Sequence, residues 1–126
     1  MSGFSTYQAN KTLNDELVAP YASRFLALFI ADPTDDNITA NEVVAAWYTR
    51  KPTGSWATPT TGVTSNNNAI QFDAVTGSQV VISHWGIYDA ATSGNLRFSG
   101  AFDTPKTFNV DDLPLINPNG ITIELL

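Results

Sequence analysis

The sequence predicts an all-β protein, an antiparallel β-sandwich of jelly-roll-like form with a short N-terminal helix. Three observations carry that prediction. Apolar residues fall in short segments that alternate with a period of two or are apolar throughout. Gly, Pro, Asp and Asn turns separate those segments, and almost no helical pattern lies between them to supply the crossovers of a parallel sheet. With 126 residues the chain is expected to build one core. Residues 1–20 read as a helical arm packing on or beyond the domain, and residues 21–126 as the sandwich.

Taken in order, Phe4 to Leu17 carries Phe4, Tyr7, Leu13 and Leu17 among polar residues, with Ser5 or Thr6 suited to cap the first turn and Pro20 blocking continuation. Ser23 to Ile30, SRFLALFI, is apolar on both alternating faces, which predicts a strand needing cover on both sides. The following ADPTDDN is a turn: Asp32, Asp35 and Asp36 lack the spacing, central glycine and terminal Glu of a calcium loop. Glu42 to Arg50, EVVAAWYTR, is read as a strand on its Val and aromatic content, although its alanines also permit helix. Pro52 to Asn68 reads as a long loop with at most a short edge strand, anchored by Trp56 and Val63, and Asn66-Asn67-Asn68 as a turn or bulge.

The second half is more regular. AIQFDAV predicts a strand, Thr76-Gly77 a turn, QVVISHWGIY a longer strand and DAATSG another turn. Asn95 to Phe102 then places Leu96, Phe98, Gly100 and Phe102 on one face. A short strand is expected at Thr107 to Val110, irregular chain over Asp111 to Pro118, and a last strand at Ile121 to Leu125. Gly86 and Gly100, inside strands, mark close packing.

Six basic residues against twelve acidic ones give a net charge of -6, which repels a phosphate backbone and an anionic bilayer. No nucleic-acid or membrane partner is expected. Cysteine is absent, so disulfides, thiolate metal sites and cysteine nucleophiles are excluded. The first residues lack the basic and apolar regions of a signal peptide, and no apolar run is long enough to cross a bilayer. A soluble protein is expected, one that uses something other than classical secretion if it works outside a cell.

Catalytic patterns are wanting. His84 is the only histidine, and beside Trp85 and Gly86 it reads as a packed ring with one or two hydrogen bonds. Ser83 and His84, adjacent on an extended strand, are expected to point to opposite faces and so not to pair. Neither a GxSxG elbow nor a phosphate-cradling glycine pattern occurs. Most of the acids lie in predicted turns, with Glu42 and Glu124 the best placed on regular structure and nothing to join them. No enzyme activity, cofactor or metal is expected. Of the three tryptophans, Trp47 and Trp85 have apolar neighbours that favour packing, while Trp56, between Ser55 and Ala57, is the best candidate for an outside contact.

The segments FSTYQANKTLND, FLALFIADPTDD, AIQFDAV, HWGIYDAATSGNLRFSGAFDTPKTF and GITIEL together resemble the small virion proteins of tailed bacteriophages that are commonly labelled tail fibre proteins. The likeness extends over nearly the whole chain and departs at AAWYTRK, Ala45 to Lys51, where that family has a glycine-rich GGGYAR-like stretch. The resemblance implies a structural particle protein. The chain has no heptads or fixed-length repeats from which to build a shaft, so the first expectation is a capsid decoration or cement protein on the virion surface, made in the host cytoplasm. It would be a homo-oligomer, a trimer at local threefold positions, bound to the major capsid protein or another virion chain. The alternatives are a small tail or tail-fibre-associated component, and a carbohydrate or host-surface binding module. Phe4, Tyr7, Leu13 and Trp56 are the expected interface residues.

Overall fold

A computed structural model describes residues 3–18 and 24–126. Near the N-terminus, Thr6–Leu13 form helix α1, and Asn14–Val18 continue it as a π-helical turn. Ser5 is the cap, its hydroxyl accepting from the Gln8 N–H at 3.1 Å. Ala9, Leu13 and Leu17, spaced four apart, form the stripe that is buried. Asn10, which interrupts the apolar pattern, anchors the helix: its side-chain oxygen accepts from the Gly62 N–H at 2.7 Å. The expected boundary at residue 20 and the start of the expected strand at Ser23 lie outside the described residues.

The rest of the described chain is mostly strand, arranged in several antiparallel sheets. The largest has four strands in the order β2-β1-β5-β6, where β1 is Phe25–Phe29, β2 Lys51–Pro52, β5 Val80–Tyr88 and β6 Leu96–Phe108. Two smaller ladders pair β3, Val63–Ser65, with β8, Thr122–Glu124, and β4, Ile70–Gln71, with β7, Leu115–Ile116. AIQFDAV is thus strand only at Ile70 and Gln71, the stretch expected to be irregular supplies β7, and Thr107–Phe108 belong to a β6 much longer than its alternation suggested.

Strand β1 has the two-sided cover that its composition demands. Leu26 and Leu28 enter the main core with Ile82, Trp85 and Ile87 of β5, the helix residues Leu13 and Leu17, and Ile70, Phe72, Ile116, Ile121 and Ile123 from the smaller ladders and their flanks. Ala27 and Phe29 point the other way, into a second cluster with Tyr88 and Leu96. Gly86 is required between them, because a Cβ there would stand 2.9 Å from both the Phe29 and Leu96 side chains. Gly100 is required on the opposite face, where a Cβ would meet the Trp85 ring at 2.6 Å.

Two irregularities shape the β5–β6 hairpin. Ile87 faces Phe98 while Tyr88 faces Leu96, so Arg97 is an extra residue. That bulge reverses the alternation and corrects the one-face expectation: Phe98 and Phe102 pack on the main core, and Leu96 on the second cluster. The other irregularity sets Ser83 of β5 opposite Phe102 to Pro105 of β6, between the pairs Ile82↔Lys106 and His84↔Ala101.

Glu42 to Arg50 is not a strand. Only Glu42 forms a bridge, with Phe29, and the chain then turns at Ala46 and Trp47. The aromatic and β-branched residues that suggested a strand are instead separate anchors: Val43 and Trp47 are buried and Val44 is 92% exposed. The Tyr48 hydroxyl takes the place of a strand carbonyl by accepting the Leu28 N–H at 3.1 Å.

Candidate functional site

The residues with the densest polar organisation gather where the 42–50 segment meets the tip of the β5–β6 hairpin. Arg50 donates to both oxygens of Glu42 at 2.9 Å and to the carbonyls of Ala90 and Ser93 at 3.0 and 2.7 Å. Its guanidinium also faces the Tyr88 ring. Tyr48 donates to Glu42 at 2.5 Å and stacks on Phe72, and Tyr88 donates to the Asn37 side chain. Both partners of the ion pair are largely buried, with side-chain exposures of 6% for Arg50 and 14% for Glu42.

Electrostatics fix the charge states of this clasp. Burial, with Glu42 next to its hydroxyl, holds Tyr48 far above the usual phenol range, and burial raises Tyr88 as well. Burial works against the charge of Arg50, but the Glu42 carboxylate outweighs it and the guanidinium is held more firmly protonated. At the tip, Asp89 accepts from the Asn95 N–H at 2.8 Å, from the Asn95 amide at 3.0 Å and from Arg97 at 3.1 Å. The Asn95 contacts first, and Arg97 after them, pull its carboxyl down to about 2. A small, uncharged loop, Ala90 to Gly94, is therefore held at both its base and its inner side. Sequence reasoning missed this arrangement. Its only signal was a pair of opposite charges, Glu42 and Arg50, flanking seven uncharged residues.

A second polar hub lies under the β3–β8 ladder. Asn66 is fully buried, and its amide donates to the carbonyls of Asn68 and Asn117 at 2.8 and 3.1 Å while accepting the Ile121 N–H at 2.9 Å. It is a tie between two distant loops rather than a simple turn residue.

The four expected interface residues divide. Phe4 and Tyr7 are 45% and 75% exposed. Leu13 and Trp56 are instead core residues, Leu13 because it lies on the inner stripe of α1 and Trp56 because its indole donates to Thr53 at 3.1 Å within the fold. The expectation that these two face outward is corrected. Trp56 was misleading because a polar loop sequence can still carry one inward anchor.

Ser83 and His84 also differ from expectation. Their side chains are hydrogen-bonded, Oγ to Nδ1, at 2.8 Å. The irregularity at Ser83 removes the strict alternation that would have separated them. Among the described residues, no carboxylate hydrogen-bonds the His84 ring, and no group of three or more His, Asp or Glu side chains is gathered to hold a metal. No helix among them is long and apolar enough to cross a membrane.

A family model described as Podophage GP4 fiber I protein gp80 matches residues 3–124. No curated protein matches the chain.

Proposed function

The chain belongs to the podophage GP4 fiber I protein gp80 family, and from that premise we propose that it is a small, non-catalytic component of a phage tail or tail-fibre assembly, held in place by contacts with other virion chains. It is a fibre-related structural protein of the phage virion. The observation that carries the tail-fibre reading is the extent of the match, which covers the helix, all the sheets and the hairpin. Head decoration, the first expectation from size and particle geometry, has no comparable support and gives way to the tail-fibre alternative.

Several features fit this role. The four-stranded sheet, the smaller ladders and α1 share one core, as a sandwich-like module would, and Phe4, just before α1, and Tyr7, in its first turn, are exposed outside that core. They are suited to the apolar centre of a contact with a neighbouring copy or another virion chain. A homo-oligomer, with three copies as the proposed number, would let each modest surface add to the others.

The test is gold-labelled antibody against the chain on intact particles in electron microscopy. Label at the tail or fibre base is expected, and label spread over the head lattice would overturn the reading.

A further inference from the structure

The turn between β7 and β8 runs Asn117-Pro118-Asn119-Gly120, and the Gly120 N–H closes it by donating to the Asn117 carbonyl at 2.8 Å. Asn119 sits at φ 65°, the left-handed position of a turn led by proline. Its side chain is exposed, as is Gly120, and it is the one asparagine of the sequence that precedes a glycine. The fold requires that glycine. A Cβ at Gly120 would stand 2.8 Å from both the Asn117 carbonyl oxygen and the Ile116 side chain. Lacking one, Gly120 leaves its own nitrogen unshielded and its backbone free to pivot.

Two further features bear on the Asn119 side chain. The Ser65 hydroxyl donates to its Oδ1 at 2.9 Å. That contact draws electron density from Cγ and is aimed at the oxygen on which charge develops when a nucleophile adds to the amide. Asn119 and Gly120 also line a cavity of about 310 Å³ beside Trp85, which is ample room for water.

We propose that Asn119 is a site of spontaneous covalent modification, converted by water to aspartate and isoaspartate with assistance from Ser65. The Gly120 nitrogen gives its proton to hydroxide, leaves the Asn117 carbonyl and bonds to Asn119 Cγ. Nδ2 then takes up a proton and departs as ammonia. Water opens the resulting five-membered ring at either carbonyl. Opening at Cγ gives aspartate, and opening at the main-chain carbonyl gives isoaspartate, with one extra methylene in the backbone. The net change is ammonia lost and water gained. That extra length falls where Asn66 grips the turn on both sides, its carbonyl accepting the Asn119 N–H at 2.8 Å and its side-chain oxygen the Ile121 N–H at 2.9 Å. An isoaspartyl chain cannot keep both contacts in place, and its hold on β8 loosens. The proposal does not depend on where in the virion the chain is placed.

The experiment incubates the full, folded chain for weeks in warm, mildly alkaline buffer and follows each asparagine by peptide mass spectrometry. A gain of about 1 Da is expected at Asn119 ahead of every other asparagine, in both aspartyl and isoaspartyl forms. Ser65→Ala is expected to slow the gain roughly fivefold, the rate equivalent of one neutral hydrogen bond, and Ser65→Thr, which keeps a hydroxyl, to restore it. In concentrated urea, where the Ser65 contact is absent, parent and Ser65→Ala should react at the same rate. The isoaspartyl form, once separated, should unfold at a lower urea concentration than the parent. The proposal is overturned if the folded parent gains no mass at Asn119, if folded Ser65→Ala reacts as fast as the parent, or if the isoaspartyl form unfolds together with the parent.

Discussion

The Arg50 guanidinium carbon lies 3.6 Å from the centroid of the Tyr88 ring, and the same side chain grips the hairpin tip 40 residues further along the chain. One cation thus joins the segment after β1 to the end of β5. Removing it strands a buried carboxylate, so Arg50→Met is expected to cost about 3 kcal/mol of stability in urea denaturation. Arg50→Lys restores the charge without the two-pronged geometry and should recover only part of the loss. The double change Glu42→Leu, Arg50→Met should be more stable than Arg50→Met alone, because no unpaired charge remains.

The lowered Asp89 carboxyl gives stability a definite pH dependence. Its ionised form is favoured in the folded chain, so its contribution is complete above the ordinary carboxylate value of about 4 and is lost as pH falls toward about 2. The stability difference between the parent and Asp89→Asn, followed by denaturation at successive pH values, should be constant near neutrality and shrink across that acid window. A difference independent of pH would show that the Asn95 and Arg97 contacts do not hold in solution.

Asn66 is expected to be intolerant of truncation. Asn66→Ala leaves the Ile121 N–H and the Asn68 and Asn117 carbonyls without this partner, and each unsatisfied buried group costs roughly 1–3 kcal/mol. A loss of about 2–4 kcal/mol in thermal or urea unfolding is expected. Hydrogen exchange should quicken at the Ile121 amide before it quickens in β5.

Assembly through the helix is tested by surface changes, because Ala9, Leu13 and Leu17 belong to the core and deleting the helix would unfold the domain with them. Phe4→Ser combined with Tyr7→Ser should leave the melting temperature nearly unchanged, since both side chains are exposed. Incorporation into particles, or self-association in sedimentation, should fall. Unchanged incorporation and association would remove the helix from the interface.

Much of this fold is legible in the sequence wherever one pattern serves one purpose. The all-apolar FLALF demands cover on both faces and has it, and VVISHWGIY and LRFSGAF pair as a hairpin across the DAATSG turn. Gly86 and Gly100 are legible as close approaches because a strand interior offers them no turn to make. Legibility ends where side chains take over the work of backbone. In EVVAAWYTR, Tyr48 supplies the hydrogen bond of a strand and Arg50 the cross-link of a loop, so its β-like composition has another cause. The Ser83–His84 contact depends on a break in alternation that only the partner strand reveals. The cavity beside Trp85 is assembled from β6 and the turn before β8, segments that no local pattern associates.

The four-stranded sheet ends on one side with β2, two residues long and closing on Pro52, and on the other with β6, whose register against β5 breaks at Arg97 and again from Phe102 to Pro105. Between those interruptions only Phe98 to Ala101 keep a regular register, less than an ordinary strand's length. Bulges of this kind twist an edge strand and make it a poorer template for ladder growth between copies crowded together before assembly. Recognition is left to side chains, which a virion can match one neighbour at a time and stop.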